Sequence, residues 1–182
     1  MDNKAKKVLV VIDMQNDFID GALKNNDAID IVVNVAEKVK ANREAGNSII
    51  FTRDTHAPNY LETIEGKYLP VPHCIKGTDG WQITSEIEVL GSDKIIDKPT
   101  FGSLELAEYL ATLDFDEVEI IGVCTDICVI SNVMIVKAKF PEKEIFVDSS
   151  CCAGVTLESH DNALAAMKMC HIQIVWCKEQ PK

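Results

Sequence analysis

Three side chains that could act together in catalysis follow short apolar runs of this sequence. Asp13 ends the run VLVVID, Lys98 follows DKIID, and GVCTDICV at 122–129 places two cysteines four positions apart. A thiol becomes a nucleophile when a base removes its proton and a nearby cation stabilises the thiolate. These residue types therefore predict a cysteine nucleophile with its base, provided that the fold brings them together.

Of the two cysteines, position favours Cys128 as the nucleophile. Thr125 or Asp126 can cap a helix that begins here, which puts Cys128 in the first turn, where the helix dipole favours a thiolate. Cys124 falls at the strand end or in the sharp turn, whose amides could stabilise an oxyanion near Cys128. Cysteine packs well as a small apolar residue, and we interpret the others in that way: Cys74, Cys151, Cys152, Cys170 and Cys177.

A second set of candidate side chains lies in and just before the long irregular stretch 55–82: Asp54, His56, Glu65 and His73. Mixed nitrogen and oxygen donors suit zinc, manganese or iron(II) better than calcium. Glu62 is an alternative to Glu65 as the second carboxylate. The simpler interpretation is a polar loop with incidental histidines. Two of the four histidines of the chain fall here beside acids, however, which favours a metal site.

The elements that must position these residues are indicated by alternating patterns. Short β-branched runs occupy 7–13, 47–54, 93–97, 118–123, 144–149 and 172–177. Helical patterns occupy 27–45, 103–113, 127–138 and 158–170. The runs are nearly all apolar, as expected for strands covered on both faces. The alternation predicts a single α/β domain over 1–182, a three-layer doubly wound sandwich with a mostly parallel six-stranded sheet. Ligands of such sheets bind beyond the carboxyl ends of the strands, where the candidate residues lie.

The composition excludes several classes of partner. A net charge of −11 argues against a nucleic-acid partner, which requires a surface rich in lysine and arginine. No apolar run approaches the roughly 20 residues that cross a bilayer, and VLVVI is too short for a signal-peptide core. Seven irregularly spaced cysteines suit free thiols in a reducing compartment. We therefore expect a cytoplasmic protein with neither a nucleic-acid nor a membrane partner.

Four motifs in order along nearly the whole chain resemble the isochorismatase-like cysteine hydrolases, and most of all the nicotinamidases among them. The segment VVIDMQNDF resembles the first strand of that family, DKPTFGS its lysine motif and GVCTDICV its nucleophile motif, while DSSCCAG with SHDNALAAM resembles its last strand-to-helix segment. The resemblance implies that Asp13 is the catalytic acid, with Lys98 beside the nucleophile Cys128. It also implies a cis peptide bond before Cys124, and an oxyanion hole formed by the backbone N–H groups of Cys124 and Cys128.

The resemblance also bears on the metal and the substrate. RDTH followed by a carboxylate and PVPH is similar to the metal set of nicotinamidases, in which a divalent ion holds the pyridine nitrogen of the substrate. This favours Glu65 over Glu62, although EGKYLPVPH has one residue more between acid and histidine than that pattern. The implied cofactor is one divalent metal ion, zinc in the first place and manganese or iron as alternatives. Phe18 and Phe101 match aromatic walls of the pocket, and Leu69 stands where the family usually has an aromatic ring.

The implied reaction is the hydrolysis of a linear amide C–N bond, in which nicotinamide gives nicotinate and ammonia through a thioester on Cys128. This places the chain in NAD salvage and, as is common in the family, in a homodimer or homotetramer. One alternative is an amidase of the same family that acts on another small carboxamide or a ureido substrate. A second is a non-enzymatic scaffold that binds metal or thiols, against which the intact Asp13, Lys98 and Cys128 argue.

Overall fold

The computed structural model describes residues 5–176, so Cys177 and its predicted packing lie outside it. The strands are β1 (Lys7–Ile12), β2 (Ser48–Asp54), β3 (Lys94–Lys98), β4 (Glu117–Val123), β5 (Glu144–Ala153) and β6 (Gln173–Val175). The helices are α1 (Asn16–Ile19), α2 (Asn26–Glu44), α3 (Ile64–Tyr68), α4 (Leu104–Leu110), α5 (Ile130–Lys139) and α6 (Leu157–Met169). A 3₁₀ turn covers Tyr60–Glu62, and a π-helical turn covers Thr125–Val129.

The six strands form one sheet in the order β3-β2-β1-β4-β5-β6, and every neighbouring pair is parallel. This confirms the predicted α/β class and the six-stranded sheet. Right-handed crossovers that leave β1 in opposite directions place their helices on opposite faces of the sheet. Helix α2 therefore covers one face and α4, α5 and α6 cover the other. The strand order reverses between β1 and β4, the point at which sheets of this kind bind ligands.

Helices α2 and α6 begin at side-chain caps that their sequences provide. The Asn25 side chain accepts hydrogen bonds from the N–H groups of Asp27 and Ala28 at the start of α2. At the start of α6, Thr156 and Ser159 form a capping box, in which each side chain bonds the other residue's backbone. Across residues 5–176, no helix is long and apolar enough to cross a bilayer.

The differences from the sequence expectations include the extent of two segments and the burial of one cysteine. Residues 55–82 are not wholly irregular, because the 3₁₀ turn and α3 lie within them, and the connection to β3 continues to residue 93. Strand β5 extends four residues beyond 149, to Ala153. The polar residues 148–150 interrupt its apolar pattern, but its pairing with β4 resumes after a register shift between Ile120 and Gly122. The core prediction is wrong for Cys170, whose side chain is exposed just after α6, whereas Cys74, Cys151 and Cys152 are buried.

Strands β1 and β4 approach each other so closely at the reversal of strand order that one position requires glycine. Gly122 has a φ of 117°, and a Cβ atom placed on it would lie 2.1 Å from the carbonyl oxygen of Ile12. Both the backbone conformation and the contact exclude a larger residue.

We expect Gly122→Ala to lower the free energy of unfolding by more than about 2 kcal/mol, because it combines a strained φ with a backbone collision. Urea denaturation followed by circular dichroism measures this change. Gly91→Ala is the control, since no atom of the described residues other than its own and those of its two chain neighbours lies within 4 Å of its added Cβ. Equal stability of the two variants would contradict the proposed packing of β1 against β4.

Candidate active site

The structure brings Asp13, Lys98 and Cys128 together at the carboxyl edge of the sheet. Asp13 follows β1, Lys98 is the last residue of β3, and Cys128 lies in the π-helical turn after β4. The Lys98 Nζ atom is 2.6 Å from Asp13 Oδ2 and 3.4 Å from Cys128 Sγ. All three are buried, with 0 %, 1 % and 5 % of their surface exposed. A carboxylate, an ammonium and a thiol are thus enclosed in one water-poor site.

Lys98 stays protonated in this enclosure. Burial alone would lower the pKa of its ammonium, but the adjacent Asp13, Cys128 and Asp54 outweigh this effect and raise the pKa above its usual value. The Nζ atom also donates a hydrogen bond to the carbonyl of Thr100, at 3.2 Å, and lies 3.4 Å from Asp54 Oδ1. Lys98 is therefore a fixed positive charge between two carboxylates.

Asp13 is held by a residue that sequence reasoning missed. The Thr52 hydroxyl donates a hydrogen bond of 2.6 Å to Asp13 Oδ1, while Oδ2 faces Lys98. Burial raises the pKa of the Asp13 carboxyl, against the opposing effect of Lys98. A carboxylate with a raised pKa is a stronger base than an exposed aspartate, so Asp13 is suited to take a proton from a thiol.

The Cys128 thiol differs from the expectation of an intrinsically stabilised thiolate. Its burial raises the thiol pKa well above 9.0, and Lys98 opposes that rise without reversing it. The pKa of the Cys124 thiol is also raised by burial, to about 12. Cys128 therefore rests as a thiol and needs a base to become a nucleophile.

The predicted helix cap is also wrong. Among the described residues, no side chain caps the π-helical turn, which begins at Thr125 after the extended residue Cys124. The Thr125 hydroxyl instead pairs with His160 Nδ1 at 2.8 Å, and the Asp126 carboxylate accepts a hydrogen bond from Val155 N at 3.1 Å. The peptide bond between Val123 and Cys124 is cis, as the resemblance implies.

The four predicted metal ligands form one cluster beside the thiol site: Asp54, His56, Glu65 and His73. Their potential ligand atoms all lie within 4.8 Å of one another. His56 Nε2 is 2.9 Å from Asp54 Oδ2 and 3.5 Å from Glu65 Oε1. Zinc bonds of about 2.1 Å place neighbouring ligands roughly 3.4 Å apart, so this donor set fits one divalent ion.

The structure distinguishes the two candidate glutamates. Glu65 lies in the first turn of α3, where the Thr63 side chain caps the helix by accepting a hydrogen bond from Gly66 N at 3.0 Å. Glu65 Oε1 thereby comes within 3.7 Å of His73 Nε2. Glu62 is exposed and lies near Asn59, outside the cluster.

Residues behind the cluster fix the orientation of its ligands. The buried Gln15 accepts a hydrogen bond from Asp54 N at 2.7 Å and donates one to Asp54 O at 2.9 Å. His73 Nδ1 donates to the carbonyl of Val71 at 2.8 Å, which leaves Nε2 as the free ligand nitrogen. The Tyr60 ring centroid is 4.7 Å from that of His56 and 5.0 Å from that of His73.

Sequence reasoning missed Gln15 and Tyr60. The one available signal for Tyr60 was an aromatic residue four positions after a candidate ligand, and no pattern distinguished Gln15.

Neighbouring charged groups shift the pKa values of the two carboxyls in the cluster. Burial would raise the pKa of Asp54, but the hydrogen bonds from His56 and His73, with the nearby Lys98, lower it overall. Burial and the neighbouring Asp54 together raise the pKa of the Glu65 carboxyl. Two carboxylates this close favour a cation between them.

A single cavity of about 590 Å³ joins the cluster to the thiol. Its lining includes Cys124, Cys128, Asp54, Glu65 and His73, together with the predicted walls Phe18, Leu69 and Phe101. The Tyr60 hydroxyl donates a hydrogen bond of 2.9 Å to the Leu69 carbonyl and so holds that wall. A small flat substrate can contact the thiol at one end while a ring atom faces the cluster at the other.

Known proteins are similar to this chain in sequence and in fold. The chain is 27 % identical to Nicotinamidase 3 of Arabidopsis thaliana over 180 residues, 96 % of this chain and 87 % of that protein. It is also 27 % identical to a nicotinamidase of Saccharomyces cerevisiae, over 68 % of this chain and 77 % of that protein. The crystal structure of the pyrazinamidase of Pyrococcus horikoshii in complex with zinc superposes with a TM-score of 0.82 at 28 % identity, covering 94 % of this chain and 99 % of that one.

The family model for the isochorismatase domain matches residues 7–177. This match contains both the thiol site and the ligand cluster. The chain belongs to the isochorismatase family of hydrolases.

Proposed function

We propose that this chain is a metal-containing cysteine amidohydrolase, a nicotinamidase that converts nicotinamide and water to nicotinate and ammonia. The observation that carries the proposal is the single cavity lined by Cys128 and by three of the four residues of the ligand cluster, Asp54, Glu65 and His73. The relatives named nicotinamidase and the zinc-bound pyrazinamidase support the same activity.

In the proposed reaction, Asp13 takes the thiol proton while Cys128 Sγ attacks the carboxamide carbon. Lys98, 3.4 Å from Sγ, stabilises the developing thiolate, and the N–H groups of Cys124 and Cys128 stabilise the oxyanion. The proton on Asp13 passes to the amide nitrogen as the C–N bond breaks, so ammonia leaves and a thioester remains. Asp13 then removes a proton from water, which attacks the thioester and restores the thiol.

The ligand cluster serves recognition in this proposal. When bound, the metal ion would supply a Lewis-acidic position for the ring nitrogen of the substrate. Asp54, His56, Glu65 and His73 would hold the ion. Phe18, Leu69 and Phe101 would enclose the ring and exclude water.

The leucine at position 69 of the pocket wall favours a second candidate function. In that case the chain is an amidase of the same family that acts on another small carboxamide. A leucine wall is less planar than an aromatic wall and stacks less well on a pyridine ring. We expect nicotinamide to show the highest kcat/KM when ammonia release is measured over a panel of aromatic, aliphatic and ureido amides. A higher kcat/KM for a non-aromatic amide would replace the nicotinamidase assignment by this second candidate.

We predict that Cys128→Ala lowers kcat for nicotinamide by at least about 10³-fold, since it removes the nucleophile. Cys124→Ala should cost less than about tenfold, because its backbone N–H remains. Cys151→Ala, which removes a buried thiol from β5, is the matched control and should match the unmodified protein. An active Cys128→Ala protein would disprove the thioester mechanism.

We expect Lys98→Met to shift the alkylation of Cys128 to higher pH by at least about one unit. Burial raises the thiol pKa and Lys98 opposes that rise, so loss of the ammonium leaves less thiolate at any given pH. Cys170 is exposed and also reacts, so the Cys128 peptide must be followed by mass spectrometry. Lys94→Met, in the same strand, is the control, and an identical profile for both variants would remove Lys98 from this role.

Metal binding is tested by the two glutamates. Glu65→Gln should weaken zinc binding by at least about tenfold, because it replaces a charged ligand, whereas Glu62→Gln should leave it unchanged. Isothermal titration of the metal-free proteins gives both affinities. A larger effect of Glu62→Gln would reverse the assignment of the ligand.

The role of the metal is tested by two substrates. Nicotinamide offers a ring nitrogen to the ion, whereas benzamide carries the same amide without that atom. His56→Ala should raise KM for nicotinamide, and the accompanying loss of kcat/KM should exceed that for benzamide by at least about tenfold. Equal losses on the two amides would assign the cluster to the chemical step instead.

A further inference from the structure

The turn that carries the nucleophile is held from outside by the start of α6. Among the described residues no side chain caps this turn, although Thr125 and Asp126 are of the types that could do so. Both side chains point away from the turn and bond residues 155–160 instead. Because Cys124 and Cys128 flank these two residues, whatever fixes Thr125 and Asp126 also fixes the proposed nucleophile and oxyanion amides.

The contact between Thr125 and His160 is the buried part of this attachment. Thr125 is fully buried, and its hydroxyl lies 2.8 Å from His160 Nδ1. A hydroxyl can donate to a neutral imidazole nitrogen or accept from an imidazole N–H, so the bond forms in either tautomer of His160. His160 therefore has a holding role in this contact that does not depend on transferring a proton.

His160 itself is held on a rigid element. It lies in the first turn of α6, directly after the capping box of Thr156 and Ser159. The chain also packs tightly against it, because a Cβ atom on Gly154 would lie 2.8 Å from His160 Cβ. The start of α6 thus holds the His160 imidazole in place, and the imidazole contacts a threonine that lies 35 positions earlier in the sequence.

We propose that His160 is a positioning residue which, through Thr125, holds the nucleophile turn in the geometry that catalysis needs. This inference rests on the proposed role of Cys128. Misplacement of reacting groups by about 1 Å can cost on the order of 10²-fold in rate, so one hydrogen bond at this place affects turnover more than substrate binding.

The kinetic test uses Thr125→Val, which removes the hydroxyl at nearly constant volume, and His160→Ala. Each should lower kcat by about tenfold or more, while KM for nicotinamide and zinc affinity change less than about twofold. The double variant should lose no more than the worse single variant, because both substitutions remove the same bond. Thr125→Ser, which keeps the hydroxyl, should retain kcat within about twofold. Asp161→Ala, an exposed neighbour on α6, is the control.

A second measurement does not depend on turnover. Hydrogen–deuterium exchange of the peptide 122–129 should become about fivefold faster in Thr125→Val and His160→Ala. Loss of one hydrogen bond raises the population of the open, exchanging state by about this factor. The exchange of α5 should not change. Unchanged exchange of the turn, or fully additive losses of kcat in the double variant, would overturn the inference. If the unmodified protein is inactive on nicotinamide but its turn still loosens in both variants, the proposed function is overturned, and only the attachment of the turn by His160 through Thr125 is supported.

Discussion

The site depends on one buried ammonium group. Lys98 reaches from the end of β3 to Asp13 beyond β1, passing Asp54 at the end of β2. Burying either carboxylate without a partner would cost several kcal/mol, and the ammonium offsets that cost for both at once. The Lys98 ammonium also lies 3.4 Å from Cys128 Sγ, so one charge contacts both carboxylates and the thiol. Asp54 turns its other oxygen towards the histidines, which extends the same connection to the ligand cluster.

The sheet supplies the geometry that makes this connection possible. Strands β2, β1 and β4 are adjacent and parallel, so their carboxyl ends lie side by side at the reversal of strand order. The end of β2 contributes Asp54, the residue after β1 is Asp13, and the turn after β4 carries Cys128. Gly122 allows β4 to approach Ile12 closely just before that turn. With Lys98 at the end of β3, the side chains of the site thus come from four neighbouring strand ends that the fold holds at fixed spacing.

Sequence reasoning identified the residues at the strand ends because type and position carried the signal there. Asp13, Lys98 and Cys128 each follow an apolar run, and the rule for parallel sheets brings such positions together. The cluster was found for a related reason, since imidazoles beside carboxylates are uncommon in an otherwise ordinary loop, and the family resemblance favoured Glu65 over Glu62 as its fourth member. The α/β class and the parallel sheet followed from the same alternation of runs.

Other features could not be predicted because they depend on contacts between distant residues. Thr52 bonds Asp13 across 39 positions, and nothing in the local sequence distinguishes it from other strand threonines. The raised pKa of the Cys128 thiol reflects burial from all sides, whereas its position in the sequence indicated a favourable helix dipole alone. The added length of β5 results from a register shift against β4, which an apolar pattern does not encode.

The charges of the thiol site and the ligand cluster also bear on the valence of the proposed metal ion. When Asp13, Asp54 and Glu65 are all ionised and the histidines are neutral, these three carboxylates exceed the single Lys98 ammonium by two negative charges. A monovalent cation would leave half of that excess, and a trivalent cation would reverse its sign. A divalent cation brings the enclosed charge to zero. Within the proposed function, charge balance among these groups therefore favours a divalent ion in the ligand cluster, in addition to the preferences of the individual ligands.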